Sequence, residues 1–531
     1  MSDRNVFQRI WGAIKRAPAQ NQQRFPQARM YQAAQSSRLT ADWSPSNSSA
    51  DSELVSSLTK LRARSRALCR DVSYAKRAKT LVVNNVIGSG VGMQAQVYAT
   101  RGELNKRVND AIEDAWCEWS KGDSCHTGGR MHFSSFERAL MAQVFEAGEV
   151  FIRKHYRPFG NSKVPFALEL IEAERIADEL THPHASHVGK NQVRMGVELD
   201  EFYRPIAYFV RRHHPSELRF SNTGPDMVER VPAEQIIHLA YGDRWPQTRG
   251  EPWMHPVITT FKDMAGYVEA EITRARVQAC TAGAIITPED ATSFGEAQTD
   301  GSVVMDLEPG VYKRLNPGEE LVAGPSNAPN PGLEPFMRYL LREVAAGVGP
   351  SYESLSKDYS QSNYSSSRLA LLDDRDLWRV FQSWFIDAFR KPIHSEWLQQ
   401  AVLSRAITAI SAEQYAMDAS KFDAVRFRPR GWGWVDPTRE VQAFKDAVRS
   451  GFMTMQDVVS TSGADIEEVF DQRKKEIELA EASGLVFDTD PSQVSGQGQA
   501  QPPDEADPPD EKPEEMIPEN PPERRVFRFR R

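Results

Sequence analysis

Apolar residues recur every four positions just before a long polar stretch in the second half of the chain. The residues with this spacing are Phe336, Leu340, Val344 and Val348. Because four-residue spacing places side chains on one face of a helix, it predicts an amphipathic helix here. The helix is expected to stop where the chain reads Gly347, Gly349 and Pro350, since Gly and Pro end helices.

The polar stretch itself runs from Gly347 to Arg368 and reads GVGPSYESLSKDYSQSNYSSSR. A second helix is predicted after it, with one of Ser365 to Ser367 as its N-cap. Its apolar positions are Leu369, Leu372, Leu377, Val380, Phe381, Trp384, Phe385 and Phe389, and they continue towards Pro392. We therefore predict a polar loop that is held at both ends by helices.

The first half of the chain alternates between helical and strand-like patterns. Helices are predicted from Asp51 to Leu68, from Val108 to Trp119 and from Phe133 to Ala147. Strands are predicted in LVVNNVIGSGVGMQAQVY, VFIRKHY, FALELI, QVRMGVEL, IAYFVRR and IIHLAY. Residues 51 to 255 therefore look like one α+β domain.

A long helical pattern follows from Ile258 to Ile286, which at 1.5 Å per residue would span roughly 40 Å. Residues 287 to 331 contain Gly, Pro and short strand-like runs, so they read as a small β-containing insertion between two helices. Further helices are predicted around Val441 to Val448 and Ile466 to Ala482. Beyond Asp488 the composition is acidic and rich in Pro, which predicts a tail without a core.

Composition and charge narrow the class of protein. The chain has 531 residues, of which 40% are hydrophobic and 26% charged, and its formal net charge is −8. A protein that coats DNA carries an excess of Lys and Arg, so this class is excluded for the molecule as a whole. The four cysteines form no CxxC pair, and no apolar run is long enough for a membrane span or a signal peptide. We therefore expect a soluble cytoplasmic product with no membrane partner.

Candidate chemistry is sparse. Gly88, Gly90 and Gly92 lie between two predicted strands but do not form GxGxxG, so a β-turn is favoured over a nucleotide site. His182, His184 and His187 could hold a metal, although a solvated loop is favoured because no Cys or carboxylate lies close in sequence. No motif of a hydrolase or a nucleotide-binding enzyme occurs, so we expect no catalytic residues, no bound metal and no cofactor.

One acidic cluster allows an alternative function, that of an enzyme. Asp373, Asp374 and Asp376 could bind Mg²⁺ in a metal-dependent enzyme acting on nucleic acid. The interpretation favoured here is structural: these carboxylates lie near a helix N-terminus, where negative charge is stabilising.

The two ends of the chain each carry a basic segment with apolar residues. Val6, Phe7, Ile10, Trp11 and Ile14 share one helical face, which could bind a membrane or a partner or could pack on its own protein. The last eight residues, RRVFRFRR, could touch nucleic acid or an acidic surface, or could balance the acidic run that precedes them.

Taken together, the chain resembles the bacteriophage portal proteins, in particular the lambda-type family of head-to-tail connectors. The segments that carry the resemblance are RMYQAAQSSRLTADW (29–43), SYAKRAKTLVVNNVIGSGVGMQAQ (73–96), GEVFIRK (148–154), TRGEPWMHPVI (248–258) and LLREVAAGVGPSYESLSKDYSQSNYSSSRLALL (340–372). The last of these is the most specific. The resemblance covers most of residues 29 to 485 and fades in the insertion and the tail.

The resemblance implies an α+β, multidomain portal fold with an α/β wing, a long helical stem, a small β-containing clip, a kinked long helix and a helical crown. The implied parts are an N-terminal arm and linker (1–50), the wing (51–257), a stem helix (258–286), the clip (287–331), a second stem helix (332–350), the tunnel loop (351–366), the long kinked helix with the remainder of the wing (367–435), the crown (436–487) and a disordered tail (488–531).

The same resemblance implies a function and its partners. The protein would form a dodecameric ring at one capsid vertex of the virion, assembled in the host cytoplasm, through which the terminase large subunit packages double-stranded DNA without sequence specificity. Major capsid, scaffold and head-completion or tail connector proteins would also contact it. The DNA-facing tunnel-loop residues would be Lys357, Asp358, Tyr359, Gln361, Ser362, Asn363 and Tyr364. The clip residues that meet the motor would be Asp306, Glu308, Lys313, Arg314, Glu319 and Glu320.

Overall fold

The structure is a computed structural model. It describes residues 47–99, 103–182, 191–217, 227–280, 330–433, 437–461 and 465–484, together with Arg38 and short strands between 284 and 322. The N-terminal segment 1–37, the tail beyond 484, most of the expected clip and two of the three histidines of the expected cluster lie outside the described residues. No described helix is long and apolar enough to cross a membrane.

Two consecutive helices begin the described chain: α1 (Ala50–Asp71) and α2 (Ser73–Val86). The first agrees with the predicted helix. The second includes LVVNNV (81–86), for which we predicted a strand, so that prediction was wrong. Its buried residues Ala75, Ala78, Val82 and Val86 follow helical spacing, and this periodicity outweighs the β-branched composition. Only β1 (Gly92–Ala95) is extended in this region.

The predicted helices and most of the predicted strands of the first half are present. The elements are α3 (Lys106–Trp119), α4 (Phe133–Ala147), β2 (Glu149–His155), β3 (Ala167–Ile171), β4 (Gln192–Arg194), β5 (Val197–Leu199), β6 (Pro205–Arg211), β7 (Val228–Pro232) and β8 (Ile236–Ala240). Strands β2 to β8 form two antiparallel sheets, with strand orders β3-β2-β8 and β4-β5-β6-β7. Apolar side chains such as Phe151, Tyr208 and Val231 are buried together beneath them.

Helix α5 (Ile258–Cys280) follows, and it is shorter than predicted. Residues 284–286, which we assigned to the helix, form the strand β9 (Ala284–Ile286), so that part of the prediction was wrong. Three more short strands are described in the expected clip, namely β10 (Glu296–Ala297), β11 (Val303–Val304) and β12 (Glu320–Val322). The chain then returns as α6 (Leu333–Val348), which packs on α5 with the rings of Tyr267 and Phe336 5.0 Å apart.

After α6 come a short helix α7 (Tyr352–Ser356), a long helix α8 (Tyr364–Phe385) and α9 (Lys391–Leu403). Helices α8 and α9 are joined by a π turn, Ile386–Arg390, just before Pro392. Because proline has no N–H and its ring crowds the carbonyl four residues earlier, the helix widens at this point. The interruption at Pro392 therefore lies where the sequence predicted it.

The last part of the described chain returns to the first. After α10 (Ala412–Met417) and α11 (Ala419–Phe422), β13 (Val425–Arg428) pairs antiparallel with β1, so Gly92 lies opposite Arg428. Three helices follow: α12 (Pro437–Arg449), α13 (Met455–Thr461) and α14 (Ile466–Ala482). The fold is thus a mixture of helices and sheets, with one large core to which all helices from α1 to α11 contribute.

Candidate functional site

The candidate site is the polar loop between α6 and α8. Helix α6 buries Leu341, Val344 and Val348 in the main core and ends at Gly349, whose φ of 110° is rarely accessible to other residues. Gly347 lies so close to Val257 that a Cβ atom would come within 2.4 Å of the Val257 Cγ1. A residue with a side chain would therefore be disfavoured at both positions. The predicted end of the helix is confirmed.

The first half of the loop is folded, which the sequence did not indicate to us. Ser351 caps the short helix α7, and its hydroxyl accepts a hydrogen bond from the Ser354 N–H. Leu355 is only 1% exposed and belongs to the main core. The Arg77 guanidinium on α2 donates a 3.0 Å hydrogen bond to the Ser354 carbonyl. The base of the loop is thus fixed to two other elements.

Asp374 on α8 holds this first half from the other side. Its carboxylate accepts hydrogen bonds from the Ser351 N–H at 2.7 Å, the Ser351 hydroxyl at 2.8 Å and the Ser354 hydroxyl at 2.5 Å. The residue is 4% exposed. Each of these hydrogen bonds has a carboxylate as its acceptor, and hydrogen bonds to a carboxylate are stronger than those between neutral groups.

The neighbouring carboxylates do not join Asp374 in a metal site. Asp373 is exposed, and Asp376 is exposed and accepts a 2.8 Å hydrogen bond from Arg379. The explanation from the helix N-terminus was also wrong, because α8 begins at Tyr364 and the cluster lies more than two turns inside it. Asp374 is instead a buried acceptor for the loop.

Asp358 and Ser362, two of the seven predicted DNA-facing residues, have partners inside the loop. Asp358 accepts hydrogen bonds from the Ser360 N–H and the Tyr352 hydroxyl, and these, with Arg338 3.6 Å away, lower the pKa of Asp358 to about 2. The Ser362 hydroxyl donates to Glu353 at 3.3 Å. Asp358 is therefore ionised at neutral pH and helps to shape the loop.

The other five predicted DNA-facing residues are exposed: Lys357, Tyr359, Gln361, Asn363 and Tyr364. The Tyr359 and Tyr364 side chains are 57% and 61% exposed. Asn363 also caps α8, forming a capping box with Ser366, so the predicted cap at Ser365 to Ser367 was wrong and the helix begins at Tyr364.

The exposed part of the loop carries little charge. Within the described residues, Lys357 has no ion pair, whereas Arg338 offsets Asp358 and Arg368 lies 3.7 Å from Glu440 on α12. The surface consists mainly of hydroxyl, amide and phenol groups. Such groups can make short-lived polar contacts with DNA, without the strong phosphate binding that several lysines would give.

The structure describes only some of the other predicted site residues. Asp306, Glu308, Lys313, Arg314 and Glu319 lie outside the described residues, and Glu320 is described only as a strand residue paired with Ile286. His184 and His187 also lie outside, and the His182 backbone forms a bridge with Val193.

A different group of possible metal ligands occurs in the described part of the chain: Glu172, Glu174 and His214. Arg66 already pairs with both carboxylates, at 3.3 and 2.9 Å, so the charge that a cation would neutralise is compensated by the protein. This group therefore does not indicate a metal site.

Sequence reasoning missed a buried ion cluster beside the sheets. Arg249, in the segment TRGEPWM, is 1% exposed and bonds Glu149 at 2.8 Å and Asp178 at 2.6 Å. Arg62 on α1 pairs with the same two carboxylates. Burial opposes ionisation of Glu149, but the two guanidinium groups and a hydrogen bond with His238 outweigh it, so its pKa is lowered. The quoted segment TRGEPWM contained this arginine, but only the fold brings its partners together.

Comparisons with known proteins agree on one family. The family model described as "Phage portal protein, lambda family" matches residues 36–382. The probable portal protein of Halomonas phage phiHAP-1 is 27% identical and aligns over 90% of this chain and 92% of its own length. Portal protein B of Escherichia phage lambda is 23% identical, over 83% of this chain and 88% of its own length.

Solved structures give a weaker likeness. The neck of an empty gene transfer agent particle, computed with sixfold symmetry, has a TM-score of 0.41 and 12% identity and covers 75% of this chain and 93% of that one. The neck of the native particle, computed with twelvefold symmetry, has a TM-score of 0.40 and 13% identity and covers 74% and 92%. Scores at this level carry no argument about assembly.

Proposed function

The chain belongs to the lambda family of phage portal proteins and serves as a head-to-tail connector, and from this premise we propose that it forms a dodecameric ring at one capsid vertex. The family match over residues 36–382 supports this proposal, as does the near-complete coverage of the curated relatives. A ring repeats each contact by symmetry, so modest contacts per subunit become a continuous surface. The protein would be part of the virion.

The loop from Ser351 to Asn363, with Tyr364, would line the channel through which double-stranded DNA passes during packaging and ejection. The observation that carries this assignment is the composition of its exposed face, which is mostly hydroxyl, amide and phenol groups and whose one cationic side chain, Lys357, has no ion pair among the described residues. Strong phosphate binding would slow a sliding duplex, whereas hydroxyl and amide groups exchange contacts readily. The fixed base of the loop would keep the exposed tip at a constant position in the channel.

Helices α5 and α6 would form the stem, and residues 287–331 the clip. The terminase large subunit and later the head-completion proteins would meet the clip at Asp306, Glu308, Lys313, Arg314, Glu319 and Glu320. Major capsid and scaffold proteins would be further partners.

A metal-dependent enzyme on nucleic acid has less support. The carboxylates of Asp373, Asp374 and Asp376 do not converge, and Asp374 is occupied by Ser351 and Ser354. The family is one of structural proteins, so we propose no catalytic residue.

Ring assembly is tested with the purified full-length protein by sedimentation velocity and negative-stain microscopy. Closed rings of twelve subunits are expected. A stable monomer or dimer under all buffer conditions would contradict the proposal.

The loop assignment is tested by replacing Tyr359, Gln361 and Tyr364 with alanine, while Asn363 is kept because it caps α8. Rings should form normally, but the length of packaged DNA or its retention should fall, because the channel contacts are removed. Tyr98→Ala, at a tyrosine that is 49% exposed elsewhere, is the matched control. Unchanged packaging and retention in the triple variant would refute the assignment.

A further inference from the structure

A groove of about 490 Å³ opens where β5, β6 and β8 meet the segment 241–249. Its lining includes four aromatic side chains: Tyr203, Tyr241 and Trp245, which are 37%, 39% and 85% exposed, and the half-buried Trp384. Phe202, next to Tyr203, is 69% exposed. A cluster of exposed aromatic residues on a folded domain marks a contact site.

The polar residues of the groove are already engaged elsewhere. Arg249 and His238 both bond Glu149, and the Thr248 hydroxyl donates to Asp51 at 2.7 Å. The groove therefore offers aromatic faces and little unpaired charge. An occupant with an aromatic or aliphatic side chain fits this chemistry better than a charged ligand does.

The continuously described chain begins beside this groove. Arg244, one of the lining residues, donates a 3.1 Å hydrogen bond to the Ser48 carbonyl and lies 3.4 Å from Glu53. Trp43 precedes Ser48 by five residues, and five extended residues span roughly 17 Å. Leu39 is nine residues away, within roughly 30 Å. The family match starts at residue 36, so this stretch belongs to the matched part of the chain.

We propose that residues 39–46 dock in this groove of their own chain, with the Trp43 indole packed among Tyr203, Tyr241 and Trp245. Aromatic rings favour tilted or offset contacts with one another, and a tryptophan has the largest apolar surface to bury. The short connection to Ser48 keeps the local concentration of the segment high, so a modest intrinsic affinity is sufficient. The docked segment fixes where the N-terminal arm leaves the domain. This inference goes beyond the ring function and does not depend on it.

The experiment uses full-length protein with Ser44→Cys and Gly242→Cys, which leaves Trp43 and the aromatic residues of the groove intact. Gly242 accepts a side chain, since an added Cβ would meet only the Gln247 side chain, at 3.5 Å or more. Cys117, which is exposed, and Cys280 are replaced by serine. Mild oxidation should give an intramolecular disulfide, seen as a cross-linked peptide in mass spectrometry and as a monomer on a non-reducing gel.

Two substitutions separate docking from mere tethering. Trp43→Ala and Trp245→Ala should each lower the rate of cross-linking by on the order of tenfold, because a buried aromatic contact is lost. Trp11→Ala, in the same arm, should leave the rate unchanged. An equal rate in Trp43→Ala would overturn the proposal, since tethering alone would explain the disulfide. Disulfide-linked dimers would instead assign the groove to the arm of a second copy, and the absence of any cross-link would leave the groove without this occupant.

Discussion

Asp374 anchors the first half of the loop. Its buried carboxylate accepts three hydrogen bonds from Ser351 and Ser354, and its neighbours Asp373 and Asp376 have none of these contacts. The sequence indicated an acidic cluster but could not show which member is buried, because that depends on how α8 faces the loop.

Asp374→Asn should loosen the loop without unfolding the domain. The amide keeps one acceptor oxygen but loses the charge. Its NH₂ group is itself a donor, and it would face the donors of Ser351 and Ser354 that the carboxylate accepts from. We expect a loss of about 1–3 kcal/mol in the free energy of unfolding. Hydrogen exchange of the amides from 351 to 358 should accelerate as well.

Asp373→Asn provides the control for this substitution. It makes the same chemical change one residue away on the exposed face of α8. Exposed substitutions of this kind change stability by roughly 0.5 kcal/mol or less. Equal hydrogen exchange in the two variants would show that Asp374 does not anchor the loop.

At the scale of elements, the junction of α5 with α6 depends on a close approach of the Val257 side chain to the backbone of α6. Gly347 faces Val257, which is 3% exposed and directly precedes α5. Because α6 leads into the loop, the fit at this junction also sets where the loop begins. Sequence patterns identified Gly347 as a helix terminator, whereas the structure shows that it permits helix packing.

Gly347→Ala should lower the midpoint of thermal unfolding, because the new methyl group would lie 2.4 Å from the Val257 Cγ1. Overpacking of this kind costs about 1–3 kcal/mol. The double variant Gly347→Ala with Val257→Ala removes the clash and should recover part of that loss. If the double variant lost at least as much stability as the two single variants added together, the contact between Gly347 and Val257 would not be the cause.

At the scale of the whole molecule, α6 and α8 expose apolar side chains that a single chain leaves uncovered. Tyr339 and Leu369 are 66% and 70% exposed, and Phe336 and Leu372 are 46% and 41% exposed. Both helices already pack on the core with their other faces. We propose that neighbouring subunits cover this surface in the ring.

Leu369→Glu should weaken ring assembly while leaving the monomer folded, because burying an unpaired charge in a subunit contact costs free energy that an exposed charge does not. Sedimentation velocity at several protein concentrations measures the effect. Leu403→Glu, at a leucine on α9 that is 57% exposed, is the matched control and should assemble normally. Normal rings from Leu369→Glu would place the subunit contact elsewhere.

Local pattern by itself determined most helices, several strands, the polar loop and the interruption at Pro392. Helical periodicity and the properties of Gly and Pro act within a few residues, so they can be read directly from the sequence. The same information failed for LVVNNV and for 284–286, where β-branched composition and continuous apolar character compete with periodicity.

Only the tertiary structure decided which polar residues have a structural role. Asp374 meets Ser351 from another helix, Arg249 meets Glu149 and Asp178 from separate elements, and Gly347 meets Val257 across a helix junction. Each of these contacts joins residues that are distant in sequence. Burial, charge compensation and close packing depend on that juxtaposition, and no local pattern of residues specifies it.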